Sequence, residues 1–350
     1  MSDLVFVQGV MTSYRFPVFK DLAKLNGNGM DVIADAGGVD FGGEYKSDEC
    51  LSFLEAGWVK VFGLYFLPLK RLLSLRFYKK VIHFADFKYM SLWFCLFFKS
   101  FFGVNVYLHG QGGYKKNSAI SRWVYVLAVY LSDGYICYTD YSKHELLKKL
   151  PSSLHRKVYV CSNSLMLRGQ SSKNEVYEND SLFYIGRLRP FSGIELLLQA
   201  ASSNNVVVEV IGGGEDAYIR QLKQTFPKAN FHGPVFSEQA QLDISKKCFA
   251  GCYGGDAGLS VVHYMAFGLP VIVHSSISDH MGPEPSYVKN NYNGLTFNRN
   301  DVSDLSEKIN FLKNDKELQK RLSNAASETF KQLSNPSMAV QFNDIINGRG

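Results

Sequence analysis

Apolar residues follow two rhythms along this chain, and the rhythms alternate. Short continuous runs, LVFVQGV at 4–10, MDVIADA at 30–36, KVIHFAD at 80–86 and VNVYLHG at 104–110, show no polar alternation. Such runs suit strands buried on both faces, as in a parallel sheet covered by helices. Between them lie segments with apolar residues at helical spacing: SYRFPVFKDLAKL at 13–25, residues 89–102, RWVYVLAVYLSD and SKHELLKKL. GYICYTD and KVYVCSN add two strands. A polar stretch, LRGQSSKNEVYENDS at 167–181, then reads as a linker. The alternation restarts with strands SLFYIGRL, NVVVEVIGGG, ANFHGPV and FAGCYGG, each followed by a helical segment. The pattern predicts an α/β protein of two doubly wound halves in series. The first domain is expected over 1–165 and the second over 166–323, with a helical C-terminal stretch from about 324.

Length and composition agree with that division. A chain of 350 residues exceeds one ordinary core, and 46% hydrophobic with 20% charged residues is globular. Six scattered cysteines lack metal spacing and read as reduced thiols of a cytosolic protein. The start, MSDLVFVQGVM, has no basic leader region and reads as a core strand. The most membrane-like run, Tyr89–Leu108, is interrupted by Lys99 and a Gly-Val-Asn break, so it predicts a helix and a strand rather than a span.

Four segments of the second half carry candidate chemistry. In IGRLRPFSG (185–193), Arg187 follows a strand, where its donor fork suits a diphosphate; a surface arginine has the same spelling. In VIGGGEDAY, Gly212 and Gly213 let backbone approach a ligand, although glycine turns after strands are common. In GGDAGLSVVHYMAFGLPVIV (254–273), Gly258, Leu259 and Ser260 open a helix whose first N–H groups are unpaired. His263 lies one turn beyond Ser260, facing the same ligand or simply bonded in the core. MGPEPSYVKNNYNGLTF (281–297) is rich in turns and contains Glu284.

Together, GRL (186–188), VIGGG (210–214), FHGPV (231–235), AGLSVVHYMAFGLPVIV and Asn-Gly-Leu-Thr-Phe (293–297) resemble the nucleotide-binding half of retaining GT-B glycosyltransferases of family 4, glycosyl transferases group 1. The likeness covers about 180–325. SYRFPVF, YLHGQGG and YTDYSKHELL more loosely resemble members of polysaccharide and O-antigen assembly. The resemblance implies two Rossmann-like domains facing a central cleft, with the C-terminal stretch crossing back to the first. It implies transfer of a hexosyl or deoxyhexosyl unit from a nucleotide-diphosphate sugar to a glycan hydroxyl, without a metal or further cofactor. Gly186 and Arg187 would hold the diphosphate, with Gly212 and Gly213 nearby. Pro234 and Val235 would border the base, Gly258, Leu259 and Ser260 the phosphates, and His109 would touch the donor sugar.

The chain departs from that family in three places. The lysine that follows the arginine falls on Ser192, and the paired acids fall on Gly255 and His263. A neutral His263 can still accept a ribose hydroxyl, and Asp256 stands one position from the first acid. The losses leave two rivals open. One is a non-catalytic nucleotide-sugar-binding subunit. The other is an inverting transferase with Asp35, Asp40 or His109 as base.

Charge changes the picture of the first half. Residues 60–122 hold eleven Lys or Arg and one acid, Asp86, between the apolar blocks FGLYFLPL, LWFCLFF and SFF. The net charge is +6. Basic residues beside aromatic blocks suit an anionic membrane surface, and no nucleic-acid module is recognisable. Arg15, Lys79, Lys80, Trp93, Lys115 and Lys116 are therefore expected on an acceptor or membrane side. The acceptor would be lipid-linked, and the protein peripheral at the inner, cytoplasmic face of the cell membrane, as in lipopolysaccharide synthesis.

Overall fold

The computed structural model describes residues 2–36, 47, 49–115, 118–166, 180–190 and 192–349. The chain forms two compact units, one of residues 1–166 and 336–350, the other of 167–335.

The first unit is built on a seven-stranded sheet. Its strands are β1 (Leu4–Val10), β2 (Met30–Asp35), β3 (Leu51–Glu55), β6 (Lys80–Phe84), β7 (Asn105–Gly110), β8 (Gly134–Cys137) and β9 (Val158–Val160). A hairpin of β4 (Val59–Val61) and β5 (Leu64–Phe66) stands apart from it. The sheet order is β3-β2-β1-β6-β7-β8-β9, all parallel. Helices α1 (Phe16–Leu25), α2 (Leu69–Ser74), α3 (Met90–Phe102), α4 (Ala119–Leu131) and α5 (Asp140–Leu147) make the connections. Leu4, Val5, Phe6 and Val7 are all buried, which is why the first run lacks alternation. Local chemistry sets the helix ends. Gly103 closes α3 in a left-handed conformation, and Thr139 with Ser142 forms a capping box on α5.

The second unit repeats the plan. Strands β10 (Ser181–Ile185), β11 (Val207–Ile211), β12 (Asn230–Gly233), β13 (Cys248–Cys252), β14 (Val271–His274) and β15 (Gly294–Phe297) make a parallel sheet ordered β12-β11-β10-β13-β14-β15. Its helices are α6 (Ile194–Ser203), α7 (Asp216–Thr225), α8 (Glu238–Ser245), α9 (Ser260–Ala266), α10 (Val302–Asn314) and α11 (Lys316–Ser334). In each unit the strand order reverses beside its first strand, at β1/β6 and at β10/β13. Doubly wound sheets bind ligands outside the carboxyl ends at such reversals.

The chain returns to the first unit later than expected. Leu318, Leu322, Ala326 and Phe330 keep all of α11 on the second unit, against α9. Asn335-Pro336 then breaks the helix, and α12 (Met338–Ile346) packs Met338, Phe342, Ile345 and Ile346 into the first core beside Phe6 and Phe19. Of the expected linker, 167–181, residues 167–179 lie outside the described residues, and Ser181 already opens β10. The sequence pattern also missed β3, the hairpin and α2, because apolar residues between 51 and 77 fit neither rhythm. None of the six cysteines is in a disulfide, and five of them are buried.

His83, on β6, illustrates how polar groups survive in these cores. Its Nδ1 donates to the Phe84 carbonyl at 2.7 Å, so Nε2 accepts from Ser91 Oγ at 2.8 Å. Burial lowers its pKa to about 4. Above pH ~6.5 the imidazole is neutral in both folded and unfolded chains, and the fold keeps its full stability. As pH falls from there toward 4, the unfolded chain takes up a proton that the folded chain refuses, so stability declines. We expect urea unfolding to lose roughly 3 kcal/mol across this window through His83 alone. His83→Gln should remove about one proton from the pH dependence; an unchanged slope would exclude His83 as the source.

Candidate functional site

The residues singled out in the second half gather at the carboxyl ends of β10, β11 and β13. After β10 comes Gly186, whose N–H donates to Ile211 O at 3.0 Å, then the exposed Arg187. Leu188 N–H donates to Gly213 O at 2.8 Å, and Gly212 N–H to Gly233 O at 2.9 Å, tying these loops together. A Cβ on Gly212 would lie 1.8 Å from Gly186 O, so only glycine permits this approach. Exposed Pro234 and half-buried Val235 border the same edge, next to Gly213.

A second close approach explains one of the missing acids. Gly193, at φ +79°, packs its Cα against the backbone of Gly254 and Gly255. A Cβ on Gly255 would stand 2.4 Å from Ser192 O. The loop after β13 is thus pressed on the start of α6, and a carboxylate side chain at 255 has no room. Ser192, where a lysine was to be expected, is buried with its Oγ bonded to no protein group.

Asp256 does not fill the vacancy. Arg299 grips it through two bonds of 3.0 Å, Nε to Oδ1 and Nη2 to Oδ2. His274 Nε2 donates to Oδ1 at 3.1 Å. Burial disfavours the charged carboxylate, but the Arg299 and His274 hydrogen bonds outweigh it and hold the carboxyl below its ordinary range. The His274 ring stacks on His280 at 3.6 Å. His280 Nε2 donates to His274 O and its Nδ1 accepts from Ala257 N–H at 3.0 Å. Asp256, one position from the first acid, thus has both oxygens engaged in fixing its own loop. Arg299, His274 and His280 were invisible to the sequence reading, since they lie up to 43 residues from Asp256 with no local motif.

Beyond that loop, buried Gly258 and half-buried Leu259 and Ser260 lead into α9. His263, one turn on, has its Nδ1 shielded from solvent and bonded to no protein group. Burial brings its pKa down to about 4, so it is neutral near pH 7. A neutral ring with an open nitrogen can accept one hydrogen bond. Glu284 is buried, with Oε2 beside the Cα of Gly282 and facing Gly258.

In the first unit, His109 ends β7 and is buried, with neither ring nitrogen bonded to protein. Burial, and then the charge of Arg15, drive its pKa far below the ordinary histidine value. Arg15 is itself buried, donating to Asn163 Oδ1 at 2.5 Å and to Met338 Sδ at 2.8 Å. That excludes it from a membrane face. His109 opens on a cavity of about 310 Å³ at the carboxyl ends of β6, β7 and β8, lined also by Phe84, Asp86, Lys88, Lys115 and Tyr138. Lys116 lies outside the described residues, as does Asp40. Asp35 accepts from Gly57 N–H at 2.8 Å. Lys79 and Lys80 do not join His109. They sit at the other end of β6, paired with Asp3 at 2.9 Å and Asn347 at 2.5 Å. Trp93 is half-buried and donates to Phe87 O at 3.1 Å.

Comparison with known proteins places this geometry. The family described as Glycosyl transferases group 1 matches residues 170–329. An uncharacterized glycosyltransferase of Methanocaldococcus jannaschii is 27% identical over 235 residues. That match takes in 65% of this chain and 63% of the relative's length. Among solved structures, the Anabaena protein HepE in complex with UDP and glucose superposes with a TM-score of 0.70 at 16% identity, over 99% of each chain. The lipopolysaccharide outer core galactosyltransferase WaaB gives 0.66 at 12% identity, again over 99% of each chain. The fold is therefore GT-B, two Rossmann-like domains in one chain.

The clamp on Asp256 yields a direct expectation. Arg299→Ala removes a two-pronged, half-exposed ion pair and leaves Asp256 with His274 alone. It should cost about 1 to 2 kcal/mol in urea unfolding, and Asp256→Asn a similar amount. A double variant costing the sum of the two would show that the residues are not coupled.

Proposed function

We propose that this glycosyltransferase, whose group 1 domain lies within residues 170–329, moves a sugar from a nucleoside-diphosphate sugar to a hydroxyl of a lipid-linked glycan. In this reading the anomeric configuration is retained, and the product is a cell-surface polysaccharide such as an O-antigen or lipopolysaccharide. The second unit holds the donor, and the first holds the acceptor at an anionic membrane surface on the cytoplasmic side. No metal or further cofactor is assigned.

One observation carries the reading. Three glycine-bearing loops meet at the β10/β13 reversal, where backbone rather than side chains must face a ligand, and exposed Arg187 stands at the same edge. The bond between the anomeric carbon and the phosphate oxygen breaks, the acceptor hydroxyl oxygen bonds to that carbon, and its proton leaves with the departing diphosphate, on which negative charge grows. Arg187 meets that charge with up to two charge-assisted bonds, while N–H groups of Gly258, Leu259 and Ser260 supply the uncharged part. His263 accepts from a ribose hydroxyl through its open nitrogen, the task an acid performs in the family. His109, neutral and unbonded, accepts from or donates to a sugar hydroxyl in the first unit. The proteins it resembles include one seen with UDP and glucose, which supports a nucleotide-sugar donor. The same missing groups, Lys at 192 and acids at 255 and 263, support the rival reading of a binding subunit without turnover.

Thermal shift against UDP, GDP, dTDP and CMP separates these readings. A ligand bound at 100 times its Kd stabilises by about 2.7 kcal/mol. One nucleoside diphosphate should raise the midpoint. His263→Ala and Arg187→Ala should each shrink that rise. Arg187→Ala should also lower turnover about 10²-fold, as expected for losing ~3 kcal/mol of charge stabilisation. No shift with any nucleotide would overturn the donor assignment, and unchanged turnover in Arg187→Ala would overturn its role.

A further inference from the structure

We infer that the β4–β5 hairpin is a lipid-inserting wedge that seats the first unit on an anionic bilayer beside its acceptor cavity; this rests on the lipid-linked acceptor proposed above. The hairpin is built the wrong way round for water. Residues alternate sides along a strand, so a hairpin lying on a protein normally turns its apolar side inward. Here the pair Lys60 and Tyr65 takes the other side, with Tyr65 half-buried and stacked on Tyr89 at 4.5 Å and Lys60 still exposed. The pairs Val59–Phe66 and Val61–Leu64 face away, and all four residues are exposed.

The turn is more telling. Two residues, Phe62 and Gly63, join the strands with φ of +47° and +79°. Positive φ at both central positions is the turn that selects Asn-Gly, because Asn tolerates the left-handed region and a bulky aromatic does not. The chain instead places a phenylalanine there, and its side chain is 102% exposed. A residue unfavourable to the backbone and unfavourable in water finds compensation in an apolar medium. Leu69 on α2 and Phe77 just after it, 70% and 63% exposed, extend the surface.

Charge selects the medium. Between Ala56 and Ala85 there is no acid, while Lys60, Lys70, Arg71 and Arg76 lie within or beside the apolar surface. None of these four makes an ion pair among the described residues. A second copy docking by the same face would bring these cations together. An anionic headgroup layer accepts the cations and admits the apolar side chains beneath. The hairpin is also fixed to the cavity wall: Tyr65 N–H donates to Lys88 O at 2.9 Å, and Lys88 lines the cavity onto which His109 opens. A glycan whose lipid lies in that bilayer is thus presented next to His109.

The test is flotation of the full-length protein with phosphatidylcholine vesicles, with and without phosphatidylglycerol, together with sedimentation in the absence of lipid. The wild type should float with the anionic vesicles and less so as salt rises. Phe62→Asn supplies the residue the turn prefers, so its melting midpoint should hold or rise while partitioning falls about tenfold or more. Lys70→Gln with Arg71→Gln should lower partitioning and flatten the salt dependence. A wild type that does not float, a Phe62→Asn protein that floats equally well, or a wild-type dimer dissolved by Phe62→Asn would each overturn the inference. Nucleotide binding is read on the lipid-free protein, so neither result decides the other.

Discussion

Parallel strands buried on both faces dictate where this protein can do chemistry. With Leu4 to Val7 on one sheet and Leu182 to Phe183 on the other withdrawn from water, the central strands offer mostly apolar side chains along their length. What remains is the row of loops at the carboxyl ends, which opens widest where the strand order reverses. Both units obey this constraint. His109 ends a strand in one, and Gly186 and Arg187 follow a strand in the other. The return of the chain through α12 buries Phe342 and Ile345 beside Leu4 and Phe6, so one of the first unit's two apolar clusters draws on both terminal segments.

In the second unit, backbone contact has displaced side-chain charge. Gly193 against Gly254 and Gly255 brings two loops together so tightly that an acid at 255 is sterically barred. The carboxylate that remains nearby, Asp256, is spent on Arg299 and His274. The result is a firm loop with few charges of its own facing a ligand. In the proposed reading, an anionic donor would meet less repulsion there than beside two carboxylates, offsetting part of the absence of a lysine at 192. A neutral His263 fits the same logic, because burial keeps it uncharged while its open nitrogen still accepts a hydrogen bond.

The fold was largely legible from rhythm alone, since strands buried on both faces and amphipathic helices leave distinct patterns. Most helices and the first four strands of the second unit, β10 to β13, lie where the apolar runs place them. The later return of the chain at Pro336 was not legible, because α11 continues one stripe, Leu318 to Phe330, through the expected boundary. The candidate site was legible in outline: Arg187, the glycines and His263 lie on adjoining loops. Its bracing was not. Arg299 and His274 meet Asp256, and His280 meets the Ala257 N–H, only through folding. The hairpin escaped for a different reason, because its apolar positions are exposed and its strands bury almost nothing by which they could be read.

The most direct trial of this account is release of nucleoside diphosphate from a panel of nucleotide sugars, measured with and without anionic vesicles carrying a lipid-linked glycan. The account predicts release from donors of one nucleotide, dependent on the glycan and abolished with Arg187→Ala. Absence of release from every donor, with the glycan present and the protein folded, would contradict the claim that a glycine-built, carboxylate-poor loop set sustains glycosyl transfer.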